Sequence, residues 1–152
     1  MTRRIEISLG NAKAIAELLE EEAPKTCEMI WKMLPINGPA MHSAESGREV
    51  FVQLPTGTIV EPENQTIYEI PSDVFIYNKP VIFIEPKWPV HERVRPVLGW
   101  VYEKDTQIQS YPGGPLAVNL FARIVQGLEK LGDEAPRMRR EGFSNMMVKS
   151  VD

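Results

Sequence analysis

The chain reads as a mainly β protein, a barrel or sandwich of short antiparallel strands with one firm helix beginning near Pro24. Three observations point there. From Glu49 onward, short β-favouring segments alternate with turn-forming residues. Nearly all of the 13 prolines fall between those segments. Cys27, Ile30, Trp31 and Leu34 alone stand out at the i, i+3, i+4, i+7 spacing of one helical face.

The elements follow in order. Arg4 to Leu9 places apolar residues at every second position, the pattern of a half-buried strand, and Gly10-Asn11 supplies a turn. Ala14 to Glu22 is ambiguous, because its Ala, Leu and Glu favour a helix while its apolar residues also alternate. The helix over about 23–34 opens at Ala23-Pro24, behind the acidic run Glu20-Glu21-Glu22, and stops at Pro35. Strands are then expected at Glu49–Leu54, Thr66–Ile70, Val74–Tyr77, Val81–Ile84, Val97–Tyr102 and Ile108–Tyr111. Leu120–Val125 suits either a strand or a helix. Gly127–Leu131 reads as a short helix capped by Gly132, and Phe143–Val151 as the last strand. A closed arrangement removes exposed strand edges.

Composition narrows the class of function. A chain of 152 residues, 43% hydrophobic, is expected to form one domain around one core over 1–152. With 17 basic and 21 acidic residues the formal charge is −4, and neither sign forms a block, so no nucleic-acid partner is expected. No apolar stretch approaches membrane-spanning length, and Met1-Thr2-Arg3-Arg4 leads into alternation, not a signal-type run, so a cytoplasmic location is expected. The single cysteine, Cys27, has no partner for a disulfide or a zinc site and faces the core, which predicts an inert buried thiol.

Several pieces carry a resemblance. Ala16-Glu17-Leu18-Leu19 followed by Ala23-Pro24-Lys25-Thr26 resembles the opening of the cyclophilin fold, in which a second strand feeds a helix. That likeness assigns Ala14–Leu19 to a strand. Further segments are similar to bacterial cyclophilin-like families of unknown function. They are Ile30-Trp31, Leu34-Pro35-Ile36-Asn37-Gly38, Gly47-Arg48-Glu49-Val50-Phe51, Glu61-Pro62-Glu63-Asn64-Gln65, Pro71-Ser72-Asp73-Val74-Phe75-Ile76-Tyr77 and Asn119-Leu120-Phe121-Ala122-Arg123-Ile124. The resemblance implies a closed eight-stranded antiparallel barrel with a helix at each end and a ligand-sized pocket on its outer wall. It does not imply prolyl isomerase activity. Cyclophilins use an arginine on the third strand, in a Phe-His-Arg sequence shortly before a glutamine. Aligned on His42 that position holds Ser43, and counted back from Gln53 it holds Glu45, although Arg48 lies close by.

Candidate chemistry gathers at His42-Ser43-Ala44-Glu45-Ser46-Gly47-Arg48. Arg48 offers a planar fork for a carboxylate, and His42 and Glu45 are suited to proton transfer near neutral pH. A solvated loop turning at Gly47 is the structural alternative. Gln53, Trp88, His91 and Asn119 are further candidates for ligand contact: Trp88 and His91 to cover a pocket mouth, Asn119 to orient a ligand from its strand. Each has a structural counterpart, packing for Trp88 and a scaffold hydrogen bond for Asn119. The two histidines lack metal-ligand spacing, and Tyr111-Pro112-Gly113-Gly114-Pro115 lacks the Lys and Ser or Thr of a nucleotide loop, so neither metal nor cofactor is expected. The leading expectation is a domain that binds a small polar or anionic metabolite. A hydrolase or isomerase acting on a small amide or ring-shaped substrate is the alternative, then a prolyl isomerase or an oligomerising module.

Overall fold

The computed structural model describes residues 1–44, 46–55, 57–80, 94–110 and 114–151. The strands are β1 (Arg4–Leu9), β2 (Ala12–Leu18), β3 (Ile36–His42), β4 (Glu49–Gln53), β5 (Gln65–Thr66), β6 (Asp73–Pro80), β7 (Val94–Val101), β8 (Gln109–Ser110), β9 (Gly114–Pro115), β10 (Val118–Gln126) and β11 (Ser144–Val151). Helix α1 spans Pro24–Met33; α2 (Leu128–Glu134) runs through a 3-10 turn at Ala135–Arg137 into α3 (Met138–Glu141).

The order β2-β1-β11-β3-β4-β7-β6-β10 closes on itself through β2–β10, giving an eight-stranded antiparallel barrel with β5 appended to β10. Closure leaves these eight strands paired on both sides. Ala12–Leu18 is therefore a strand, held to β1 by the register Ile7↔Ala14 and to β10 by Ala122↔Leu18. Its helix-favouring residues yield to the two neighbours it pairs with, a tertiary override of local propensity.

Helix α1 sits against one end of the cylinder. Cys27 and Ile30 are fully buried there, with Trp31 and Leu34 packed beside them. The Cys27 thiol donates to Phe121 O at 3.3 Å, and burial pushes it up to about 11, in keeping with an inert thiol. The cap of the helix comes from a distant residue: the Glu63 carboxylate accepts from Lys25 N (3.2 Å) and Thr26 N (2.7 Å).

Two expectations are corrected, one open choice is settled as a strand, and one strand appears where none was expected. The segment at Thr66–Ile70 is a strand only over Gln65–Thr66, because its exposed Ile67, Tyr68 and Ile70 have no sheet face to cover. The short helix at 127–131 continues to Glu141, with Leu131, Ala135 and Met138 buried along it. Leu120–Val125 is strand throughout, inside the nine-residue β10. Strand β3 lies where Gly38 and Pro39 conceal any β signal, and its pairing with β4 and β11 holds it extended. The expected strand at Val81–Ile84 falls outside the described residues.

The wall formed by β4, β7 and β6 is apolar on both sides. Val50, Val52, Val74, Ile76, Leu98 and Trp100 point into the barrel core. Phe51, Phe75, Tyr77, Val97 and Val101 form a second cluster on the outer face, with Ile108 and Val118. Register fixes the outer rows: Met41↔Phe51, Phe51↔Gly99 and Gly99↔Phe75 run across four strands.

The plugging role of α1 has a direct test. Ile30→Ala should lower stability by about 2–5 kcal/mol in denaturant unfolding, as expected for a truncated core side chain. Lys32→Ala, on the exposed side of the same helix, should change it by less than about 0.5 kcal/mol.

Candidate functional site

The outer face of β4, β7 and β6 contains a carboxyl group set among apolar side chains. Glu49 opens β4 on the same side as Phe51 and is fully buried. Its Oε2 accepts a 2.7 Å hydrogen bond from the Tyr77 hydroxyl, while Oε1 is buried and has no hydrogen-bond partner among the described residues. Room for the carboxyl comes from Gly99: a Cβ there would stand 2.9 Å from Glu49 Oε2 and 3.0 Å from Phe75 Cε2. Burial pushes the Glu49 carboxyl up to about 7, against the opposing pull of the Tyr77 hydroxyl, the Lys79 ammonium and Ser46, and with the help of Glu69. Glu69 repeats the theme at the border of the cluster. It is buried, accepts from Ile108 N at 3.4 Å through Oε2, leaves Oε1 without a partner among the described residues, and is shifted upward chiefly by burial. Lys79 places its ammonium 4.8 Å from the centre of the Phe51 ring.

Of the residues singled out in the sequence, His42, Arg48 and Asn119 occupy other positions. His42 and Arg48 meet at one end of the barrel, around Tyr102. His42 Nδ1 lies 2.8 Å from the Ser43 carbonyl and Nε2 2.6 Å from the Tyr102 hydroxyl. A carbonyl only accepts, so Nδ1 carries the proton and Nε2 takes the hydroxyl's. Burial and the nearby Arg139 and Arg48 push the imidazole below its ordinary value, so it is neutral at pH 7 with its acceptor nitrogen occupied. Arg48 pairs with Glu103 at 3.3 Å on the surface. A recess of about 350 Å³ adjoins His42, lined also by Ser43, Ala44, Arg139 and Phe143. Glu45, Trp88 and His91 lie outside the described residues.

Gln53 belongs to the outer face by register, one row beyond Phe51, and its side chain is exposed. Asn119 serves the scaffold: its Oδ1 accepts from Glu63 N (3.2 Å) and its Nδ2 donates to Glu61 O (2.6 Å) and Thr26 Oγ1 (3.4 Å). These bonds tie β10 to the segment that caps α1. Buried Ser43 and Ser46 hold the loop before β4, accepting from Ser46 N and Gln109 N respectively. Among the described residues no group of three or more His, Cys, Asp or Glu is placed to hold a metal ion.

Sequence reasoning missed Glu49, Tyr77, Glu69 and Gly99. One signal pointed to two of them: Val50-Phe51-Val52 beside Glu49 and Val74-Phe75-Ile76 beside Tyr77 are apolar without alternation. Strands of that kind are buried on both faces, so a carboxyl or hydroxyl beside them is dry.

The Glu49 shift predicts how stability depends on pH. In the unfolded chain this carboxyl loses its proton near 4.5, in the folded chain near 7, so the native state binds the extra proton between those values. Stability should therefore fall as pH rises from about 5 to 7, by up to about 1.4 kcal/mol per pH unit from this group. Denaturant unfolding across that range should show a shallower slope for Glu49→Gln, which remains neutral; equal slopes would contradict the assignment.

Comparison with known proteins places the fold. McbB, whose structure was solved in complex with tryptophan, superposes with a TM-score of 0.67 at 16% identity over 95% of this chain and 44% of McbB. The chain thus spans less than half of McbB. The hypothetical protein AF2241 from Archaeoglobus fulgidus matches with a TM-score of 0.60 at 21% identity, over 99% of this chain and 95% of that one. The Mimivirus cyclophilin matches with a TM-score of 0.52 at 11% identity, over 99% and 89%. These similarities establish a cyclophilin-like barrel. No curated protein matches the sequence. The model of a protein family of unknown function, DUF3830, matches residues 5–149, and the chain belongs to that family.

Proposed function

We propose that this protein binds a small polar metabolite on the outer wall of its barrel, over the Glu49–Tyr77 pair, and does not isomerise prolyl bonds. The supporting observation is a fully buried carboxyl whose Oε1 has no hydrogen-bond partner among the described residues. Leaving such a group unsatisfied costs about 1–3 kcal/mol or more, and a perturbed group of this kind is a candidate for acting on a ligand or a proton. The surroundings have the composition of a small-molecule site: apolar walls from Phe51, Phe75, Val97 and Ile108, with a few polar groups among them. The sequence suggested an anion bound by Arg48. With Arg48 paired to Glu103 and His42 occupied by Tyr102, the Glu49 face is the better-supported site.

A second reading, a hydrolase or isomerase acting on a small amide or ring-shaped substrate, is favoured by one observation. A carboxyl held at about 7 is suited to both taking and giving a proton at neutral pH. In that reading the base is Glu49, since His42 has no free acceptor nitrogen.

Thermal unfolding in the presence of a panel of polar metabolites tests the binding proposal. A ligand at ~100 times its Kd should contribute about 2.7 kcal/mol of stability, and Glu49→Gln should abolish the rise for any metabolite that binds at this face. A rise that survives the substitution would place the site elsewhere. A protease-coupled assay on a proline peptide should show no acceleration, and a clear acceleration would reverse the second half of the proposal.

A further inference from the structure

The geometry points to an organic cation as the ligand of the outer wall: an amine carried on an apolar or aromatic frame. This rests on the reading that the ligand sits over Glu49, and it specifies the chemistry of that ligand.

Two buried carboxyls border the outer-wall cluster, Glu49 and Glu69, each with an Oε1 that has no hydrogen-bond partner among the described residues. A ligand that brings N–H donors and a positive charge satisfies such oxygens. An anion would meet two carboxyls in a medium that screens charge poorly. The protein's own cation behaves accordingly. The Lys79 ammonium lies over the Phe51 ring at 4.8 Å, and its charge favours the ionised form of Glu49. The face therefore already holds an ammonium over an aromatic ring, a contact by which alkylammonium groups are recognised. The frame of the ligand is specified by the rest of the cluster. Phe75 and Tyr77 are tilted at 42° with ring centres 5.9 Å apart, and Val97, Ile108 and Met41 complete an apolar surface.

Cation binding should compete with a proton. The groups acting on Glu49 are the hydroxyls of Tyr77 and Ser46 and the ammonium of Lys79, which favour its charge, and burial and Glu69, which oppose it. A bound amine needs the carboxylate, so its affinity should weaken on acidification below about 7.

Protein-observed NMR with three probes of one shape, benzylamine, benzyl alcohol and benzoate, decides the matter. Benzylamine at pH 8 should move the amide resonances of Phe51, Gly99 and Phe75 and bind at least about tenfold more tightly than benzyl alcohol, the difference a charged hydrogen bond contributes. Glu49→Gln should remove that preference. In the wild-type protein, independent of any variant, benzylamine affinity should fall by up to about tenfold per pH unit between pH 7 and pH 5. Benzoate binding at these resonances as tightly as the amine, or an amine affinity that does not change with pH, would overturn the cation assignment and leave the site itself standing. If none of the three probes moves Phe51, Gly99 or Phe75, both the site and its ligand class fall.

Discussion

Strands β4, β7 and β6 form a wall that is shielded from water on both faces, and the properties of the site follow from that constraint. On the inner side Val50, Leu98, Trp100 and Ile76 belong to the barrel core; on the outer side Phe51, Phe75, Tyr77 and Val101 pack into a second cluster. Any polar group set into the outer rows is removed from solvent by its neighbours, so its protonation and its partners are decided inside the protein. Glu49 is such a group. Its raised proton affinity, its dependence on Tyr77 and the requirement for glycine at position 99 are three consequences of one placement.

Barrel closure makes that placement reproducible. The register Phe51↔Gly99 and Gly99↔Phe75 aligns two large rings on either side of a residue without a side chain, and the Glu49 carboxyl occupies the space left between them. A slip of one residue in β7 would bring Leu98 or Trp100 to the outer face and close the space, because strand faces alternate. The pairing of β2 with both β1 and β10, and the seating of Ile30 in the core, complete the cylinder that fixes this register. At the end of the barrel next to α3, the His42–Tyr102 hydrogen bond and the Arg48–Glu103 pair form a separate polar arrangement whose members already satisfy one another.

Much of this architecture was legible in the sequence. Alternation in Ile5, Ile7 and Leu9 and the spacing of Cys27 and Ile30 correspond to β1 and α1 as folded. The strand at Ala12–Leu18 was legible only through resemblance, since its composition favours a helix and its conformation is imposed by partners distant in sequence. Strand β3 was not legible, because Asn37-Gly38-Pro39 has the composition of a turn. The site was harder to read. Charged residues close in sequence, His42 and Arg48, attract attention because proximity along the chain is visible; Glu49, Glu69 and Tyr77 converge only when three strands and a loop are assembled. Asn119 was legible as a buried polar residue on a strand, and its amide bonds to Glu61, Glu63 and Thr26.

The central claim is that the Glu49 carboxyl holds its proton to near neutrality in the folded protein. Observing its side-chain carboxyl carbon by NMR in selectively labelled protein, across pH 4 to 9, measures this directly. The account requires a titration midpoint near 7, with that resonance missing from Glu49→Gln. A midpoint close to the ordinary 4.5 would show that water or a counter-charge reaches the group, and the dry outer wall on which the account depends would not exist.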